Sequence, residues 1–180
     1  MKNTINNNMI LQEKNKILRK FAEEILNPKS AEIKSLIKEM AKAMFAEYDG
    51  IGIAAPQIGE SKKIFLVAED VLHLERFSAE GGSASGGKSK RTKNYLVFIN
   101  PILKNKSSKK TKDVEGCLSV RGMYGDVTRA EKITIEYFDE SGNKKSRGAS
   151  GLFARVIQHE MDHLEGVLFI DKAKNIKHIK

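Results

Sequence analysis

Gln158-His159-Glu160-Met161-Asp162-His163 lies inside Gly151–Glu165, a stretch with helical periodicity. Its H-E-x-x-H string sets His159 and His163 four residues apart. On a helix that spacing puts both imidazoles on one face, within reach of one cation. Glu160 follows the first ligand directly, where a carboxylate reaches water held by that cation instead of the cation itself. The plain alternative is a helix with two surface histidines and no metal. Ser150 is the candidate cap of this helix, and Gly166 is its stop.

A catalytic site of this kind needs a third protein ligand. Six residues after His163, where metzincin proteases carry a histidine, stands Phe169. Only 17 residues follow His163, and their single glutamate, Glu165, is too near on the same helix. The remaining soft ligand is the only cysteine, Cys117, 42 residues upstream of His159 in Glu115-Gly116-Cys117-Leu118-Ser119. A thiolate with two imidazoles leaves one tetrahedral position open, which is a catalytic arrangement. The competing reading of Cys117 is a small buried hydrophobe. Its glycine neighbour and the need for a third ligand favour the metal.

A lone cysteine also rules out an intramolecular disulfide and points to a reducing compartment. The 180 residues suit one compact domain, and 40% apolar content excludes wholesale disorder. No apolar run approaches the ~18 residues of a membrane span. Met1–Ile10 is Asn-rich, lacks a signal core and is expected to be disordered. The net charge is +9, from 32 basic and 23 acidic residues. That balance raises the question of nucleic acid. Nine of the basic residues fall between Lys88 and Lys112, and removing them leaves 23 of each sign. The excess belongs to one segment and not to a basic face.

Ile33, Leu36, Ile37, Met40, Met44 and Phe45 recur at helical spacing, so Ser30–Glu47 reads as an amphipathic helix capped by Ser30. Ile64–Ala68 is a strand, and Tyr95–Ile99 another, stopped by Asn100-Pro101. Ile133–Phe138 is a third, followed by a turn over Asp139–Asn143 and a hairpin partner. The tail Lys172–Lys180 reads as short and basic, with helix as its candidate state. Strands and helices do not alternate regularly. The expected class is α+β: short, mostly antiparallel sheets packed around a central helix carrying H-E-x-x-H.

Gly82–Ser89 matches the phosphate-binding string G-x-x-x-x-G-K-[ST]. A true phosphate loop joins a buried strand to a helix N-terminus. Here a Gly/Ser-rich stretch over residues 77–94, read as a mobile loop, runs into a strand instead. No nucleotide is expected.

Three motifs now stand in order: Gly50-Ile51-Gly52-Ile53-Ala54-Ala55-Pro56-Gln57, Glu115-Gly116-Cys117-Leu118-Ser119 and Gln158-His159-Glu160-Met161-Asp162-His163. Together they resemble the signature motifs of the peptide deformylases. The resemblance runs from about Lys16 to Asp171. It implies a hydrolase that removes the N-formyl group from formylmethionine on nascent polypeptides and releases formate. By that resemblance Cys117, His159 and His163 hold one divalent metal, ferrous in the cell, with zinc, nickel and cobalt as alternatives. Glu160 is the general acid/base on metal-bound water. Gln57 and the backbone N–H of Leu118 stabilise the oxyanion. Gly52 bonds the substrate through its backbone. Ile51, Leu152 and Val156, with Glu115 nearby, match substrate-pocket positions. The apolar trio also reads as ordinary core.

The sequence departs from the family at Arg121, where a proline is usual, and in a longer connection over residues 73–94. The basic segment has two readings. One is a solvated loop with strand flanks. The other is a ribosome contact, made together with Lys172, Lys174, Lys177 and Lys180. The expected location is a bacterial-type cytoplasm, with an organelle as the alternative and no membrane association.

Overall fold

The computed structural model describes residues 10–72 and 92–179. The expected disorder over residues 1–9, the loop over residues 77–91 and the phosphate-loop string lie outside the described residues. Ile10 belongs to the core instead, at 5% exposure.

Helix α1 is Ala31–Ala46, and the Ser30 hydroxyl accepts from the Ile33 N–H at 3.2 Å. Its buried face is the predicted one, from Ile33 through Met44. Helix α2 is Gly151–Leu164, and it carries the H-E-x-x-H string. Ser150 holds the cap position, but its side chain makes no capping bond. The first turn is tied by its backbone instead, Gly151 N–H to Glu131 O at 3.1 Å. Gly166, at φ +72°, ends the helix and brings the chain against Arg19, where a Cβ would meet backbone at 2.7 Å.

Strands β1 (Gly52–Ala54), β2 (Ile64–Ala68), β3 (Tyr95–Lys106), β6 (Lys132–Phe138) and β7 (Lys144–Ser150) form one antiparallel sheet in the order β1-β2-β3-β6-β7. Strand β2 is buried on both faces. Ile64, Leu66 and Ala68 pack with α1, while Phe65 and Val67 pack with α2. An unbroken apolar run of strand length has this meaning: period two sends alternate side chains into two cores. Phe65 and Phe98 stack there at 4.7 Å, a contact worth about 0.5–1.5 kcal/mol beyond its area.

A second antiparallel sheet has the order β4-β5-β8, from β4 (Lys110–Cys117), β5 (Val120–Ala130) and β8 (Lys174–His178). Leu118-Ser119 is the two-residue turn between β4 and β5, with Cys117 opposite Val120.

Two expectations need correction. Strand β3 does not stop at Asn100-Pro101. It continues to Lys106 across a register shift between Ile99 and Ile102. The bulge places Pro101 where no ladder N–H is needed. Asn100, at φ +47°, is held by two bonds to the Ile25 backbone, of 2.9 and 2.8 Å. The tail is not helical either, since Lys174–His178 pairs with β5, with His178 opposite Met123. Its exposed polar residues carry no period of their own; the open edge of β5 sets the conformation.

Candidate active site

Three elements meet at the site. Helix α2 brings His159, Glu160 and His163; the β4–β5 hairpin brings Glu115, Cys117 and Leu118; β1 and the 3₁₀ turn Ala55–Ile58 bring Gly52 and Gln57. A cavity of about 440 Å³ opens between them. Every candidate catalytic, metal or substrate residue read from the sequence lines it, except His163, which is 1% exposed.

Single donor atoms of Cys117, His159 and His163 all lie within 4.8 Å of one another. Cys117 Sγ is 3.2 Å from His163 Nε2. His159 Nδ1 meets Glu115 Oε2 at 3.0 Å, which leaves its second nitrogen to face a cation. One sulfur and two imidazole nitrogens suit a borderline-soft divalent ion. Burial lowers the proton affinity of His159, but hydrogen bonds to Cys117 and Glu115 outweigh it and hold the pKa at about 10. The same negative surroundings attract a divalent cation, and one bound there would displace the proton from the His159 nitrogen that faces it. Burial, with the charges of His159 and Arg129, keeps His163 well below its usual value and so neutral, as a ligand must be.

Glu160 is 3% exposed, and its Oε2 has no hydrogen-bond partner among the described residues. Leaving such an atom unpaired costs about 1–3 kcal/mol, and such atoms call for a functional explanation. Burial pushes the Glu160 carboxyl up to about 7 against the pull of His159 and Arg129. Gln57 is 1% exposed. Its Oε1 accepts from the Ala54 N–H at 2.8 Å, and its Nε2 donates to Ser119 Oγ at 3.1 Å and to Cys117 Sγ at 3.6 Å. The Leu118 carbonyl accepts from Gln12 Nε2 at 3.2 Å, and the Ser119 N–H donates to Cys117 Sγ at 3.4 Å.

Glu115 directs its carboxylate inward. Arg129 donates to both oxygens at 2.7 and 2.8 Å, and Arg155 donates to Oε1 at 2.7 Å. Desolvation alone would raise Glu115, but Arg129 and His159 hold it far below the usual carboxylate range. Arg129 also reaches Asp162 at 2.8 Å, and Lys172 bonds the other Asp162 oxygen at 2.6 Å. Sequence reasoning missed Arg129, Arg155, Asp162 and Ser119. One signal was available: Arg155 stands four residues before His159 on a face otherwise marked by Leu152 and Val156. A charge on a burying face asks for a partner. Arg129 gave no such signal in a polar strand.

The basic segment is partly neutralised where it is described. Lys104, Lys109 and Lys112 face Glu136, Glu131 and Asp126 at 3.6, 3.0 and 3.5 Å. Among the described residues no helix is long and apolar enough to cross a membrane.

A buried carboxylate beside a Cys/His/His donor set, at the foot of a cavity, defines a metal-dependent hydrolase. Residues 7–178 match the polypeptide deformylase family. The sequence is 39% identical over 168 residues to a peptide deformylase of Pelagibacter ubique, covering 93% of this chain and 87% of that one. It is 40% identical over 169 residues to that of Pelotomaculum thermopropionicum, covering 93% and 92%. The fold matches the Thermotoga maritima peptide deformylase with a TM-score of 0.75 at 30% identity, over 92% of this chain and 96% of that one. It matches the Synechococcus elongatus enzyme, solved with actinonin, with a TM-score of 0.74 at 34% identity, over 92% and 78%. The chain belongs to the polypeptide deformylase family. It is an enzyme of that family's reaction: removal of the N-formyl group from the formylmethionine of nascent polypeptides, with release of formate.

Proposed function

We propose that Cys117, His159 and His163 hold one divalent ion and that Glu160 moves the protons of deformylation. The observation that carries this is the Glu160 carboxylate: buried, unpartnered at Oε2 among the described residues, and next in the helix to one of three convergent donors. When bound there, the ion supplies Lewis acidity and lowers the pKa of water. Glu160 takes the proton of the attacking water as the oxygen–carbon bond forms. It returns that proton to the leaving amine as the carbon–nitrogen bond breaks. A carboxyl near neutral pKa serves both directions. Gln57 Nε2, giving up its long 3.6 Å contact to Cys117 Sγ, and the Leu118 N–H donate to the oxygen on which negative charge develops, and each donor is worth about 3–4 kcal/mol. The Gly52 backbone bonds the substrate chain. Ile51, Leu152 and Val156 give the methionine side chain an apolar slot. Glu115 orients His159 from one side of the same cavity.

The family resemblance supports ferrous iron as the ion in the cell; zinc, nickel or cobalt can replace it, because one thiolate and two imidazoles accept all four. Loss of activity in air favours iron beside an oxidisable Cys117; indifference to air favours the others. The chain is read as one metallohydrolase domain working in the cytoplasm. Ribosome contact through the basic segment is the lesser part of the reading. Its support is the charge excess alone, and co-sedimentation with ribosomes at rising salt tests it. Charge reversal at Lys106, Lys109, Lys110 and Lys112 should release the protein; no release sinks that part.

The deciding experiment is formate release from a formyl-Met peptide by anaerobically prepared protein. Wild type turns over, while Glu160→Ala keeps its metal and loses activity. Full activity in that variant overturns the mechanism.

A further inference from the structure

Arg121 replaces a proline usual in the family, and it makes contacts that proline cannot. Its Nη2 lies 2.6 Å from Glu47 Oε2, and its Nη1 lies 3.9 Å from Asp49 Oδ1. Glu47 is the C-cap of α1, and Asp49 lies in the loop that leads on to β1. Arg121 is the second residue of β5, just past the turn that carries Leu118. The ion pairs therefore join two segments that both line the cavity. Tyr48, Asp49 and Arg121 all line that cavity, and Tyr48 is 87% exposed.

The hairpin side of this contact is fixed from elsewhere. The Ile179 N–H donates to Gly122 O at 2.8 Å, and β8 pairs along β5. The loop over residues 47–50 is the partner drawn in. Backbone bonds to the helix end are among those that hold it, Glu47 N–H to Met44 O and Gly50 N–H to Glu47 O, both 3.3 Å. The deep end of the cavity is lined by buried Val156 and Glu160, whereas the 48–49 wall is open to solvent. A methionine seated at the deep end sends the rest of its peptide past that outer wall.

We propose that Arg121 is a specificity-determining positioning residue. Its clasp on Glu47 and Asp49 holds Tyr48 and Asp49 as the outer wall of the cavity, against the substrate residues that follow formylmethionine. This rests on the deformylase reading of the cavity. A substrate that ends at formylmethionine does not meet the wall, and a longer one does.

The test compares formyl-Met amide with formyl-Met-Ala-Ser on wild type, Arg121→Ala and Arg121→Pro. Exposed ion pairs contribute little, so the expected rise in KM for the longer substrate is about threefold to fivefold. For both variants, kcat and the kcat/KM of the amide stay within about twofold of wild type. The swapped pair Arg121→Glu with Glu47→Arg restores the KM of the longer substrate. Equal losses on both substrates, or no rise on the longer one, overturn the proposal. Hydrogen exchange decides the clasp without turnover: amides of residues 47–50 exchange faster in Arg121→Ala, and unchanged exchange overturns it. If wild type releases no formate, the deformylase reading fails, and the exchange measurement still judges the clasp.

Discussion

The Glu160 carboxylate lies against the backbone of Gly52. A Cβ on residue 52 would stand 2.4 Å from Glu160 Oε1 and 3.0 Å from Val156 Cγ1. Glu160 is fixed on α2 and Gly52 on β1, so neither yields freely. Gly52→Ala should displace the carboxylate and lower kcat/KM by about a hundredfold, since displacements near 1 Å have that effect. Formate release measures it; activity near wild type would show that the contact is idle.

Arg129 is 5% exposed and ties Glu115 to Asp162. Replacing it by methionine keeps the volume and leaves two buried carboxylates short of a cation. Arg155 and Lys172 remain as partners, so the loss should sit near the low end for a broken buried pair, about 3 kcal/mol. Urea unfolding at pH 7 reads it.

Glu115→Gln should weaken metal binding by about tenfold to a hundredfold, because the carboxylate that orients a ligating histidine also raises its basicity. Competition with a chromophoric chelator gives the number. Unaltered affinity would place Glu115 outside the metal site.

Asp171 gives the pH test. Burial raises its pKa, but Arg19 and the Leu168 N–H, at 2.8 Å, hold it below the usual value of 3.8. A carboxyl depressed on folding adds stability above its unfolded pKa. That stability is lost as pH falls through the folded value. The side chain is 39% exposed, so solvent screening limits the contribution to less than about 1 kcal/mol. Asp171→Asn should therefore destabilise slightly at pH 7 and progressively less below about pH 4, measured by urea midpoints.

Much of the chemistry was legible in the chain. H-E-x-x-H on a helical period fixed two imidazoles and a carboxylate relative to each other, because helix geometry is local. The run Ile64–Ala68 announced a strand, and Ser30 announced the start of α1. Strands β4 and β5 stayed unread because their residues are mostly polar or small. Pairing with each other, and of β5 with β8, makes them strands. Pro101 misled for a similar reason: the bulge that admits it exists only in the pairing with β6.

By itself the sequence determined the donor types, their helical spacing and the apolar faces, all consequences of short-range periodicity. Only the tertiary structure decided that Cys117 comes within 3.2 Å of His163 and that Glu115 steadies His159. It also decided that Arg129 and Arg155 neutralise Glu115, and that Gly52 must lack a side chain beside Glu160. These are contacts between residues far apart in the chain. They arise when hairpin, helix and β1 close on one cavity, and no local pattern encodes that closure.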